Sequence, residues 1–292
     1  MSGVAVDAVM LESRAAELAT RSIKAASKRT WIDLAIGCID LTTLEGSDSR
    51  GRVRSLCAKA RAPLPFGDAP SVAAVCVYPN FVGVAKEALD GSRVRVASVA
   101  TAFPSGQSSL AVKLADTAQA IDAGADEIDM VIDRGAFLSG DEARVVAEIR
   151  AVKVACANAH LKVILETGEL GSYDAIRRAC DLALEAGADT IKSSTGKIGT
   201  NATYPTALAM CDSLAAFYRR TGEQRGLKLA GGIRTTKQAL AYLAIVNESL
   251  GSAWLCSERF RFGASSLLDD LLMQRERERT GHYAKPERIP KA

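Results

Sequence analysis

The four-residue junction Ala123-Gly124-Ala125-Asp126 recurs as Ala186-Gly187-Ala188-Asp189. Each copy stops a helical pattern and opens a strand pattern, the mark of an internal β/α repeat. Aligning the two copies sets Ile128 against Ile191 and Asp129 against Lys192. The same alternation runs along most of the chain. Strand patterns are expected at 36–41, 73–78, 94–99, 127–132, 161–166, 190–192, 227–230 and 261–264, with helical spacing of apolar residues between them. Eight such units in roughly 240 residues predict an α/β fold, a (β/α)8 barrel spanning residues 31–275. The competing architecture is an open doubly wound sheet. No GxGxxG follows the first strand, and no P-loop occurs.

The two ends fall outside the alternation. Residues 1–30 carry a loose apolar stripe (Val9, Leu11, Ala15, Leu18, Ile23) and read as a helical extension; 276–292 are charged, hold Pro286 and Pro290, and read as a mobile tail. A net charge of +3 gives no electrostatic case for nucleic acid. No apolar run is long enough for a bilayer, and the N-terminus lacks a signal-peptide core. Seven cysteines without a CxxC pair read as reduced thiols, which predicts a cytoplasmic protein. His160 and His282 are the only histidines. No metal site and no other cofactor is expected.

Chemistry concentrates on Thr190-Ile191-Lys192-Ser193-Ser194-Thr195-Gly196-Lys197. A lysine at the end of a β-branched run is either a snorkelling side chain or an amine nucleophile with a depressed pKa. Barrel geometry places catalytic groups at the C-terminal ends of strands and gives alternate strands a shared interior layer. Asp129 and Lys192 should therefore face each other. Lys228 on the seventh strand points into the same space, and Asp40, on the first strand, can reach Lys228 across the barrel's closure. A second ammonium beside an amine favours its neutral form, which adds to a carbonyl as a Schiff base, with a carboxylate to move protons. The alternative is a set of buried ion pairs. The loops after strands six, seven and eight contribute Gly196 and Lys197, Gly231-Gly232-Ile233-Arg234, and Gly263-Ala264-Ser265-Ser266. Their glycines let backbone N–H groups approach an anion, and Ser266 opens a helix whose N-terminus faces it.

These segments, with Asp40-Leu41-Thr42-Thr43-Leu44, Val75-Cys76-Val77-Tyr78-Pro79 and Glu127-Ile128-Asp129-Met130-Val131, resemble the deoxyribose-phosphate aldolases over about residues 33–273. Ser193 stands where threonine is expected and Leu229 where proline is frequent; neither removes a reacting group. The resemblance implies a metal-free class I aldolase on a TIM barrel. It would reversibly cleave 2-deoxy-D-ribose 5-phosphate to glyceraldehyde 3-phosphate and acetaldehyde in deoxyribose catabolism, as a homo-oligomer (dimer or tetramer). It assigns the Schiff base to Lys192, pKa control to Lys228, the proton relay to Asp129 and the support of Lys228 to Asp40. Substrate and phosphate contacts fall on Cys76, Thr195, Gly196, Lys197, Gly231, Gly232, Arg234, Ser265 and Ser266. Some relatives bring a C-terminal tyrosine to the site. Here nine residues follow Tyr283, which lies too soon after the last helix to return, so the tail is expected to be dispensable.

Overall fold

The computed structural model describes residues 5–21, 23, 25–64, 68–199, 202–282 and 289–290. Tyr283 lies outside them. Eight parallel strands close into a barrel in sequence order: β1 (Ile39–Thr42), β2 (Ala74–Val77), β3 (Arg95–Ala100), β4 (Glu127–Val131), β5 (His160–Ile164), β6 (Thr190–Lys192), β7 (Gly226–Ala230) and β8 (Phe260–Ala264). Pairing of β1 with β8, Asp40 opposite Gly263, shuts the sheet. A closed sheet has no edge, and that separates this fold from the open alternative.

Two helices precede the first strand, α1 (Ala8–Ala19) and α2 (Ala25–Gly37). The outer ring follows as α3 (Arg50–Arg61), α4 (Val82–Ala88), α5 (Leu110–Asp122), the single-turn α6 (Arg134–Leu138), α7 (Glu142–Ala155), α8 (Tyr173–Glu185), α9 (Tyr204–Thr221), α10 (Thr236–Leu250) and α11 (Leu267–Thr280). Their starts are written locally. Ser49, Ser109, Asp141, Ser172 and Thr203 each accept a backbone N–H with the side chain at the N-cap, and Thr235 with Gln238 forms a capping box.

The extension and the first strand depart from expectation. Ile36 and Gly37 are not in a strand. α2 runs through residue 30 to Gly37, because Ile32, Ala35 and Ile36 are buried at helical spacing. The first strand therefore begins three residues later than the sequence pattern put it. α1 buries Leu11, Ala15 and Leu18 against α9 and α10. Burial of each leucine contributes roughly 1.5–3 kcal/mol. Tyr173 donates to Glu12 at 2.8 Å and pins the same helix. At the other end α11 continues to Thr280, where Gly281 caps it in the left-handed region. Residues 276–280, expected in the tail, are helical.

The repeated junction is a buttress at the N-terminal mouth of the barrel. Asp126 accepts the N–H of Val96 at 2.8 Å and the ammonium of Lys86 at 2.9 Å. Asp189 does the same with Leu161 at 2.8 Å and Lys153 at 2.5 Å, and adds Arg225 at 3.0 Å. Gly124 and Gly187 adopt φ of +94° and +102°. A Cβ on Gly124 would meet the stem of Lys86, and one on Gly187 that of Lys153, each at 3.5 Å. The repeat is thus a structural device: glycine turns the chain, and aspartate ties its new strand to the previous one. A cavity of about 950 Å³ opens here, with His160 among its lining residues.

Candidate active site

The interior of the barrel is a column of charge. Asp129 of β4 sits at its centre. One of its carboxylate oxygens accepts from Lys192 and from Lys228, each at 2.7 Å, and the other from Lys162 at 2.8 Å. Lys228 also donates to Asp40 at 2.5 Å. Below them Arg261 bridges Asp40 at 2.5 Å and Glu127 at 2.8 Å, and Lys162 donates to Glu127. Arg95 closes the lower end on Glu127 at 3.2 Å with a side chain 45% exposed. The register explains the meeting: Lys192 lies opposite Lys228, Lys228 opposite Arg261, and Asp129 opposite Lys162. Gly263 leaves the space that Lys228 uses, since a Cβ there would stand 3.1 Å from the lysine Cε and 2.9 Å from the Cβ of Ala230.

The three lysines of the column differ in what they touch. Lys162 reaches Asp129, Glu127 and, at 3.5 Å, Asp40; Lys228 reaches Asp129 and Asp40; Lys192 reaches Asp129 alone. Burial pulls every one of their pKa values down. For Lys228 the carboxylates of Asp129 and Asp40 overcome it and the net shift is upward. Lys162 goes the same way through Asp129, Glu127 and Asp40. For Lys192, burial, reinforced by the neighbouring Lys228 ammonium, outweighs the single carboxylate, and its pKa falls. Burial pushes the carboxyls up. The surrounding cations win in each: Asp129 is held well below its usual range, chiefly by Lys162 and Lys192, Asp40 is lowered by Lys228 and Arg261, and Glu127 is held at about 2 by Lys162 and Arg261. Four buried cations (Lys162, Lys192, Lys228, Arg261) thus face three buried anions (Asp40, Glu127, Asp129). These buried groups balance to neutrality when Lys192 is the free amine, Arg95 at the lower end being 45% exposed to water.

Above Lys192 lies a cavity of about 210 Å³. Eight of the nine expected contact residues line it: Thr195, Gly196, Lys197, Gly231, Gly232, Arg234, Ser265 and Ser266. Ser266 is the N-cap of α11, so that helix points its N-terminus at the cavity. Cys76 stands apart on β2, buried among Leu44, Ala97 and Val99, its thiol pushed up by burial and by Asp129. Two details of the loop after β6 differ from expectation. The N–H of Gly196 turns inward to the Ser194 hydroxyl at 3.0 Å instead of facing outward to an anion. Lys197 is paired with Glu45 across the cavity at 2.9 Å. Among the described residues no group of three or more His, Cys, Asp or Glu is placed to hold a metal ion, the carboxylates of the column being taken up by lysine and arginine.

Lys162, Glu127 and Arg261 carry as much of the column as the residues named from sequence. Each is a charged residue inside a strand, the same signal that singled out Lys192. Glu166 carries that signal too, as the last residue of the expected fifth strand, but the structure puts it in the loop after β5; Glu45 has no comparable signal, because it lies in a loop.

A family model described as DeoC/LacD family aldolase matches residues 34–272. The deoxyribose-phosphate aldolase of Mus musculus is 43% identical over 302 aligned residues, covering 99% of this chain and 95% of the relative. A crystal structure from Toxoplasma gondii ME49, which carries that name provisionally, superposes with a TM-score of 0.76 at 25% identity, over 86% of this chain and 96% of the other. The tetrameric deoxyribose phosphate aldolase of Aeropyrum pernix gives a TM-score of 0.63 at 26% identity, over 88% and 99%.

Proposed function

We infer the reaction from a premise already in hand: the chain belongs to the deoxyribose-phosphate aldolases, a family of class I aldolases. The proposed reaction is reversible cleavage of 2-deoxy-D-ribose 5-phosphate to D-glyceraldehyde 3-phosphate and acetaldehyde, a step of deoxyribose catabolism. The carrying observation is Lys192. It is a buried amine on one carboxylate, beside a second ammonium, at the floor of a cavity walled by three glycine-containing loops.

In this reading the neutral Lys192 attacks the C1 aldehyde of the open-chain sugar. Asp129, 2.7 Å away, moves protons while the carbinolamine loses water, with a solvent molecule as carrier. The protonated imine draws electrons from the C2–C3 bond as Asp129 takes the C3 hydroxyl proton. Glyceraldehyde 3-phosphate leaves, and the enamine is protonated at C2 and hydrolysed to acetaldehyde. Lys228 holds the amine's pKa down, and Asp40 with Arg261 holds Lys228 in place. The phosphate rests among Lys197, Gly231, Gly232, Arg234, Ser265 and the N-terminus of α11, with Lys197 exchanging Glu45 for it. A homo-oligomer is proposed from the likeness to the Aeropyrum pernix tetramer. Residues 31–275 are proposed as the catalytic unit.

Borohydride reduction in the presence of acetaldehyde tests the mechanism. Peptide mapping should find one ethyl group, on Lys192. Label spread over surface lysines, or its absence, would remove the Schiff base from this site.

A further inference from the structure

Glu166 is an unassigned carboxylate, fully buried, the last residue of the expected fifth strand but two residues past the observed end of β5 at Ile164, and held in the left-handed region at φ 55°, ψ 56°. L-residues adopt that conformation rarely, and a buried carboxylate is costly without donors. The structure supplies them. One oxygen accepts from the Ser194 hydroxyl at 2.6 Å and from the Thr195 N–H at 3.1 Å; the other accepts from the Thr195 hydroxyl at 2.5 Å. Arg134 approaches at 3.4 Å while also binding Glu169 at 2.8 Å and the Pro104 carbonyl at 3.1 Å. Four successive loops, after β3, β4, β5 and β6, are tied together at this carboxylate.

The two hydroxyls pass the constraint on. Having given their protons to Glu166, they accept backbone N–H groups two residues ahead: Gly196 on Ser194 at 3.0 Å and Lys197 on Thr195 at 3.1 Å. The path of 194–197, and so the placing of Gly196 and Lys197 on the cavity wall, follows from the carboxylate behind them. Lys192 has a separate anchor. The Ser193 hydroxyl accepts the N–H of Ala230 at 3.0 Å and donates to its carbonyl at 3.3 Å, and the Ser193 N–H donates to the Lys228 carbonyl at 3.0 Å. The amine end of the loop is fastened to β7, the other end to Glu166.

We propose that Glu166 is a positioning residue for the phosphate end of the substrate, acting through the 194–197 loop and not through Lys192. The proposal rests on the phosphosugar reading above. Glutamine at 166 keeps one acceptor, but its NH2 can only donate, so one hydroxyl arm meets a donor and lets go.

The experiment compares kcat/KM on 2-deoxyribose 5-phosphate and on 2-deoxyribose, inhibition by inorganic phosphate, and borohydride trapping of acetaldehyde, for wild type, Glu166→Gln and Thr195→Val. Glu166→Gln should lower the phosphorylated-to-unphosphorylated ratio about tenfold or more, largely through KM, and weaken phosphate inhibition in step. Trapping at Lys192 should stay within a few-fold. Thr195→Val, which removes one arm and leaves the carboxylate, should move the ratio in the same direction by less. A wild-type preference for phosphate that both variants retain, or equal losses on both substrates, overturns the assignment. A wild type with no such preference overturns the phosphosugar reading and this inference with it.

Discussion

The two mouths of this barrel are built from the same parts and do different work. At the N-terminal mouth, lysine and aspartate meet in pairs: Lys86 with Asp126, Lys153 with Asp189, the lysine side chains 41% and 31% exposed. Water and salt screen such pairs, which contribute about 0–1 kcal/mol each. Inside, toward the C-terminal mouth, lysines and carboxylates are dry, and each carboxylate serves two or three cations. There the loss of a partner leaves an uncompensated charge, at a cost of about 3–5 kcal/mol. Reactivity comes from the inequality of shares. Lys192 holds the smallest share of carboxylate and is the lysine whose pKa falls. At the N-terminal mouth burial pushes the Asp189 carboxyl up and its bond to Lys153 helps to more than offset that, which only favours the ion pair.

The contrast is breakable in several ways. The largest effect belongs to Lys192→Ala, which should lose orders of magnitude in turnover while retaining the fold by circular dichroism. Lys86→Ala, at the other mouth, should leave kcat/KM within about twofold. The next concerns stability. Lys162→Met removes the cation shared by Asp129, Glu127 and Asp40, and should cost about 3–5 kcal/mol in urea unfolding. Lys153→Met should cost at most about 1 kcal/mol. Equal costs would erase the distinction between the mouths.

A third test uses pH. In Lys228→Leu, Lys192 loses a neighbouring positive charge and faces an Asp129 carboxylate less well neutralised. Both changes favour the ammonium, so the acidic limb of the rate profile should move to higher pH. An unmoved limb with full activity would leave Lys228 a structural partner only. The smallest effect on activity is at the N-terminal mouth. His160, which bonds the Thr190 hydroxyl at 2.8 Å, has its pKa pressed down to about 4 by burial and by Lys162. The unfolded chain takes up that proton near pH 6.5 and the folded chain only near pH 4, so this contribution is present above 6.5 and drains away as pH falls between the two. The loss should be roughly 3 kcal/mol, and His160→Gln should flatten that part of the stability–pH curve without altering the rate profile.

Much of this was legible in the chain because alternation of strand and helix is a long-range pattern that survives local error. The barrel, the meeting of Asp129 with Lys192 and Lys228, and the reach of Asp40 to Lys228 follow from strand order and phase. Ile36 was misplaced because a short apolar run reads equally as a buried strand or the buried face of a helix, and only its packing decides. Lys162 was passed over because a lysine in Leu161-Lys162-Val163 also fits a snorkelling side chain; the inward phase of β5 puts it in the column. Glu166 reads as the end of the fifth strand, whereas that strand stops at Ile164. Its role depends on a left-handed backbone outside any repeat, which sequence periodicity does not encode.

The count of four buried cations to three anions reaches past the resting amine. When a carbonyl carbon joins Lys192, the nitrogen regains a positive charge as a protonated imine, and the column carries the same surplus that made the ammonium unfavourable. The enamine, formed when that nitrogen accepts the electron pair of the breaking bond, takes the positive charge off the nitrogen, and the surplus leaves the column once the C3 hydroxyl proton taken by Asp129 passes on to solvent. An interior balanced for a neutral nitrogen therefore makes the imine a stronger electrophile and the enamine a better resting place, so one imbalance of charge serves both the start of the reaction and its bond-breaking step.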